Sequence, residues 1–230
     1  MIGIAFVFAG WLIGCVIYGY VHHFAFRLSQ EIHAAYIEIY PENPPHFAPE
    51  KSILTPMKSK ISQPYYCLFF ALLFALCYWL NEDIFTAICW ACFCSLLFAI
   101  SVVDGYYRLI SPALCQNLFA LGLGAAYWQI TPLTVEQSLQ SAVIFFGVFS
   151  LIYYGAKGYY KQEAFGRGDC WLALGLGTFF SYEQLPAFLL FACLSGLVYA
   201  LYSKLSKRHL TTIPFGPFLS LSGVLCRLLN

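Results

Sequence analysis

From Ile2 to Val21 the chain carries no Asp, Glu, Lys, Arg or His. Comparable stretches return at about Tyr65–Leu80, Ile84–Val103, Ala113–Ile130, Gln137–Ala156 and Leu185–Tyr202. Such runs restrict the chain more than any single motif does. A bilayer core about 30 Å thick is crossed by roughly 20 apolar residues in a helix. In lipid, a helix also satisfies its own backbone hydrogen bonds. Two further runs complete the pattern, one from Asp169 or Cys170 to about Phe180 and one from Ile213 to the C-terminus. The chain is 60% hydrophobic and 10% charged, where a soluble domain carries about a quarter charged residues. The expected class is therefore an all-α polytopic membrane protein of about eight transmembrane helices, with residues 1–230 as one integral-membrane domain. The net charge of +1 offers no case for a nucleic-acid partner. The lipid bilayer is the expected environment.

The segments between the runs give the orientation. Residues 22–63 read as a loop inserted between the first and second helices. Phe24 to Tyr40 in that segment suits an amphipathic helix. Beyond Pro41, prolines 44, 45, 49, 56 and 64 favour extended chain, since proline lacks a donor and restrains its predecessor. With eight spans, alternate loops share a side. One side holds Arg27, Lys51, Lys58, Lys60, Arg108, Lys157, Lys161, Arg167, Lys204, Lys207 and Arg208, and the other only Arg227. Basic loops stay cytoplasmic, so both termini are expected on the periplasmic side of an inner membrane. Tyr78, Trp79, Tyr127 and Trp128 near span ends suit interfacial belts. The first run lacks a basic start and a small-residue cleavage site, so it reads as a retained helix. The ten cysteines fall in or beside apolar runs and read as small packing residues. Cys89, Cys92 and Cys94 have no acid or histidine close in sequence, so no metal site is expected there.

Two acids interrupt this pattern. Asp104 closes the third run, and Asp169 follows Phe165-Gly166-Arg167-Gly168 at the start of the sixth. The loop count puts both at the cytoplasmic side and at one depth. Asp83 lies in the opposite turn. An ionisable group inside a membrane boundary is a functional candidate. Asp169 also suits a helix N-terminus, whereas Asp104 at a helix C-terminus opposes the dipole. Two neighbouring carboxyls share a proton and titrate in separated steps. One takes a proton from water while the other protonates a leaving amine, the division of labour in aspartic proteases. Gly166 and Gly168 would let backbone approach a substrate and adopt positive φ. His22, His23 and His209 are weaker candidates, better suited to an interface. The acids equally suit proton or cation sites of a transporter or assembly scaffold.

These residues resemble a known family. Gly166-Arg167-Gly168-Asp169 matches the glycine-x-glycine-aspartate signature of intramembrane aspartyl proteases. Asp104 followed by Arg108-Leu109-Ile110 looks like the first catalytic acid of the type IV prepilin leader peptidases. Ile213-Pro214-Phe215-Gly216-Pro217-Phe218, opening the last helix, is similar to a sequence typical of that family, and Gly14 and Tyr18 are similar to its first helix. The resemblance implies a multi-pass inner-membrane aspartyl endopeptidase. It would remove leader peptides from type IV prepilins or pseudopilins at the cytoplasmic face, in pilus assembly or protein secretion. Asp104 and Asp169 would be catalytic. Gly166, Gly168, Pro214, Gly216 and Pro217 would form the substrate path or a structural motif. A presenilin-like or signal-peptide-peptidase-like protease shares the acid pair, but its proline-alanine-leucine motif belongs near the last catalytic helix. Here Pro112-Ala113-Leu114 follows the first acid. Many members of the leader-peptidase family carry zinc-type cysteine pairs in the first cytoplasmic loop. Residues 22–63 contain no cysteine, so neither a metal nor a cofactor is expected for cleavage. S-adenosylmethionine would be needed only if N-methylation is retained. Ser111 and Pro112 stand where the family often has proline and aspartate, and Trp171 where it often has lysine.

Overall fold

The computed structural model describes residues 1–42, 54, 57, 61–161, 166–206 and 213–229. Phe165, His209, Lys51, Lys58, Lys60, Lys207, Arg208 and prolines 44, 45, 49 and 56 lie outside the described residues. Among the described residues eight α-helices follow one another: α1 (Ile2–Ile39), α2 (Gln63–Leu80), α3 (Ile84–Tyr107), α4 (Pro112–Tyr127), α5 (Val135–Tyr160), α6 (Arg167–Gly177), α7 (Leu185–Leu205) and α8 (Gly216–Leu228). A 3-10 turn at Tyr182–Gln184 leads into α7. There is no strand among the described residues. Five helical segments among the described residues are long and apolar enough to cross a membrane: Ile2–Ile39, Gln63–Leu80, Ile84–Tyr107, Val135–Tyr159 and Tyr182–Leu205. The chain is a multi-pass, all-helical membrane protein. Helices α4, α6 and α8 fall short of a span. At 1.5 Å per residue, the 11 residues of α6 cover only about 16 Å.

Several boundaries differ from those expected. Within the segment expected between the first two helices, residues 22–63, the stretch expected to be helical from Phe24 to Tyr40 is helical, but it is continuous with the first span: α1 runs unbroken to Ile39. Residues 22–39 contain neither glycine nor proline, and polar residues such as Gln, Glu and Arg are good helix formers. The helix stops at Tyr40, directly before Pro41, where the proline ring disfavours helical backbone. Asp104 is not the last residue of α3. The helix runs on to Tyr107 and closes on Arg108, which adopts a left-handed conformation at φ 56°. Helix α5 starts before Gln137 because Thr134 and Gln137 form a capping box. Helix α6 begins at Arg167, so Asp169 lies within its first turn. Pro112 opens α4 in its first turn, where a missing N–H leaves no orphan donor.

Contacts divide the chain into two compact units, Met1–Leu76 and Cys77–Asn230. In the first, α1 meets α2 through Gly10 and Gly14. A Cβ on Gly14 would lie 2.7 Å from Cys67 Cα, and one on Gly10 would overlap the Phe70 carbonyl. Small residues four apart let membrane helices approach to backbone contact. Tyr18 meets Tyr66 edge-on at 5.4 Å, and His22 and His23 each donate to a carbonyl one turn back. None of the ten cysteines forms a disulfide, although Cys15 and Cys67 bring their sulfurs to 3.3 Å.

In the second unit α6 packs against α4, α5 and α8, while α8 packs against α3 and α7. The two short helices carrying the motifs are therefore its inner elements. Close approach again depends on glycine: a Cβ on Gly177 would lie 2.8 Å from Ala142 Cα of α5, and one on Gly175 would lie 3.1 Å from the Cys115 carbonyl of α4. Ser138 Oγ donates to the Thr178 carbonyl at 2.8 Å, and Ser222 Oγ to the Phe188 carbonyl at 2.6 Å. Such bonds satisfy hydroxyls that lipid would leave unpaired. Leu172, Ala173 and Leu176 of α6 are fully covered, whereas Leu194, Leu197, Val198 and Leu201 of α7 are exposed. An exposed apolar helix face of this kind is what a hydrocarbon solvent requires.

Candidate active site

Asp104 and Asp169 are brought together at one end of the second unit. They come from the last turn of α3 and the first turn of α6. Both are buried, with 5% and 4% of their surface exposed, and the charge of Asp104 is felt at Asp169.

Asp169 is held locally. Gly166 is the N-cap of α6, and the Asp169 backbone N–H donates to the Gly166 carbonyl at 3.2 Å. The carboxylate in turn accepts from the Gly166 N–H. That reciprocal arrangement satisfies an orphan amide at the helix start. Its other oxygen, Oδ1, is buried with no hydrogen-bond partner among the described residues. Leaving such an atom unpaired costs about 1–3 kcal/mol, which marks it as a working group or a point of strain.

Asp104 is held from a distance. The Gly216 backbone N–H donates to Asp104 Oδ2 at 2.9 Å, across 112 residues of sequence. Gly216 is the first residue of α8, after the N-cap Phe215. A free helix N-terminus offers unsatisfied N–H groups and the positive end of a dipole. Asp104 faces the wrong end of its own helix, a penalty of about 0.3–1 kcal/mol. A hydrogen bond to a charged group contributes about 1.5–3 kcal/mol, so the α8 terminus outweighs it. Arg108 adds a positive charge near Asp104.

The motif residues explain this geometry. A Cβ on Gly216 would lie 2.7 Å from Asp104 Oδ2, so only glycine lets the amide reach the acid. Pro217 occupies the next helical position, where a missing N–H leaves no orphan donor. Pro214 lies outside the helix, two residues before it. A Cβ on Gly168 would lie 2.7 Å from Ile110 Cβ, and one on Gly166 would lie 3.0 Å from Asp169 Oδ2. No glycine among the described residues has positive φ. The expectation that Gly166 and Gly168 adopt it is corrected: they provide space, not an unusual backbone.

Sequence reasoning missed two partners. Ile110 follows the α3 cap and abuts Gly168; it stands in the stretch after Asp104, but nothing in the sequence joins it to Gly168. Arg167, between the two motif glycines, donates from Nε to Tyr153 Oη at 2.9 Å and lies over the Tyr153 ring. That contact ties the start of α6 to α5, and its only signal was a tyrosine near a span end. Trp171, at the family's lysine position, is half-exposed and packs on Phe146 at 5.6 Å between centroids.

Residues 91–201 match the type IV leader peptidase family, a stretch containing both acids. A prepilin leader peptidase/N-methyltransferase of Haemophilus influenzae is 39% identical over 221 residues, 94% of this chain and 92% of that protein. The chain belongs to the type IV leader peptidase family. It is accordingly a peptidase. A type 4 prepilin-like proteins leader peptide-processing enzyme from one Escherichia coli strain is 35% identical over 128 residues, 56% of this chain and 46% of that protein. A prepilin leader peptidase/N-methyltransferase from another strain is 35% identical over 136 residues, 58% and 59% respectively. The match thus spans about half the length of these two Escherichia coli leader peptidases. No solved structure matches the chain.

Proposed function

We propose that this leader peptidase removes the leader from type IV prepilins or pseudopilins at the cytoplasmic face of a bacterial inner membrane, with Asp104 and Asp169 as its catalytic pair. The observation that carries this reading is the meeting of two buried carboxyls from separate helices at one end of the second unit. One carboxylate takes a proton from water, whose oxygen attacks the scissile carbonyl. The other carboxyl then gives its proton to the leaving amine as the C–N bond breaks. The unpaired Asp169 Oδ1 is suited to contact that water or the carbonyl. Asp104, anchored through Oδ2, keeps its orientation without a side-chain partner. Cleavage draws on these groups and water, without a metal. S-adenosylmethionine enters only if the second, methylating step in the relatives' names is retained.

Co-expression with a prepilin tests the assignment. The parent chain converts precursor to mature pilin, and Asp104→Asn and Asp169→Asn each abolish conversion while the protein remains in the membrane. Full cleavage by either variant overturns the pair. Intact cleavage with altered ion coupling instead makes the acids transport sites. The mass of the mature N-terminus shows whether a methyl group has been added.

A further inference from the structure

The opposite end of the second unit holds a charge that the peptidase reading does not use. Arg227 lies in the last turn of α8 and is half-buried. Its guanidinium lies 4.5 Å from the centre of the Trp90 ring. One nitrogen, Nη2, donates to Asn81 Oδ1 at 3.3 Å. No acid pairs with Arg227 among the described residues. Glu82, Asp83, Glu136 and Glu183 occupy the turns at this end, but all four are exposed. The negative end of α8 compensates part of the charge, and the rest of the donor fork has no hydrogen-bond partner among the described residues.

A cavity of about 190 Å³ opens beside this cation, lined by Arg227, Trp90, Ser181, Gln184 and Phe180 among others. Its polar groups favour an anion. Ser181 Oγ already accepts from the Glu183 amide, which leaves its O–H to donate. Gln184 offers a carboxamide N–H, and no carboxylate lines the space. A second recess of about 450 Å³, lined by Tyr127, Thr131 and Val135, shares Pro132 and Leu133 with the first. Tyr127, which lines it, and the neighbouring Trp128 are exposed, at 73% and 72%, as befits side chains at the headgroup level.

We propose that the Arg227 cavity binds the phosphodiester of an anionic phospholipid, whose acyl chains leave along the adjoining Pro132–Leu133 recess. The guanidinium supplies charge-assisted, forked donation to the phosphate oxygens. Ser181 and Gln184 complete the shell. The apolar recess next door and the interfacial aromatics favour a lipid over free phosphate.

Native mass spectrometry of delipidated protein, re-supplied with phosphatidylglycerol, tests the site. The parent retains one lipid. Arg227→Gln loses retention by about tenfold or more, since one charged hydrogen bond is of that size, and Arg227→Lys retains an intermediate amount. Gln184→Leu lowers retention without disturbing the cation, and so decides the question should Arg227→Gln fail to fold. Cleavage of prepilin by either variant shows the far end intact. Equal retention by the parent and both neutral variants overturns the proposal. Equal retention of diacylglycerol, which lacks the phosphate, also overturns it. Displacement of the lipid by millimolar inorganic phosphate would reassign the cavity to the free ion.

Discussion

Asp169 and Asp104 are buried to nearly the same extent, yet the chain accommodates them in opposite ways. Asp169 stands at the start of its own helix and reaches back three residues to the Gly166 amide. Its sequence neighbours provide its support. Asp104 stands at the end of its helix, and its support is the Gly216 amide of α8. The first arrangement forms with the first turn of α6. The second exists only after α3 and α8 have packed. One carboxylate is therefore a property of a segment and the other a property of the fold. A pair built this way places one acid firmly by local geometry and leaves the other to report whether the bundle has assembled.

Gly216→Ala tests the long-range half and carries the largest effect. The added Cβ would lie 2.7 Å from Asp104 Oδ2, closer than van der Waals contact allows. The carboxylate or the helix start must move, and the hydrogen bond is lost. A misplacement of about 1 Å at a reacting group costs roughly a hundredfold in rate. Prepilin conversion should fall by about that factor, with membrane insertion unchanged. A Gly216→Ala protein as active as the parent would show that Asp104 does not depend on α8.

Gly168→Ala and Gly166→Ala probe the local half. At 168 the new Cβ meets Ile110 Cβ at 2.7 Å, an atom fixed to the backbone. At 166 it meets Asp169 Oδ2 at 3.0 Å, the far end of a side chain that can turn aside. Gly168→Ala should therefore cost more, about tenfold in conversion, as expected for roughly 1.4 kcal/mol of lost positioning. Gly166→Ala should cost only a few-fold. Replacing Ile110 by glycine should restore part of the Gly168→Ala loss and none of the Gly166→Ala loss. Equal effects at both positions would mean that the glycines act on a substrate rather than on these neighbours.

The same division explains what could be read from the chain. The apolar runs predicted eight helices, because period and length are written in consecutive residues. Asp169 was legible as an acid suited to a helix start, since its cap lies three residues away. Asp104 looked unsupported, because its donor stands 112 residues on and backbone amides leave no trace in a sequence. Gly216 was recognisable only as part of a motif; its purpose, room for one carboxylate oxygen, required the packed helices. Ile110 and Tyr153 were missed for the same reason. The break at His22 is a different case: polar residues suggest the end of a span there, yet the helix of the first span runs straight on into the helix expected from Phe24, and stops only before Pro41.

Asp83 supplies the comparison's control. It too stands at a helix start, and its carboxylate accepts from the Thr86 amide at 2.9 Å and from the Thr86 hydroxyl at 3.0 Å. It is exposed and lies at the end of α3 opposite Asp104. Its support is as local as that of Asp169, so a cap alone does not make an acid functional. The Thr86 amide bonds to the charged form and holds the Asp83 pKa below its ordinary value. The cap is therefore fully present above that ordinary value and is lost as pH falls through the lowered one. Asparagine accepts the same hydrogen bond without titrating. Asp83→Asn should leave prepilin conversion unchanged and remove a small acid-induced loss of thermal stability, measured as the shift in midpoint between neutral pH and pH below the carboxylate range. A fall in conversion on Asp83→Asn, comparable to that of Asp169→Asn, would make position at a helix start, rather than the meeting of two buried acids, the feature that matters.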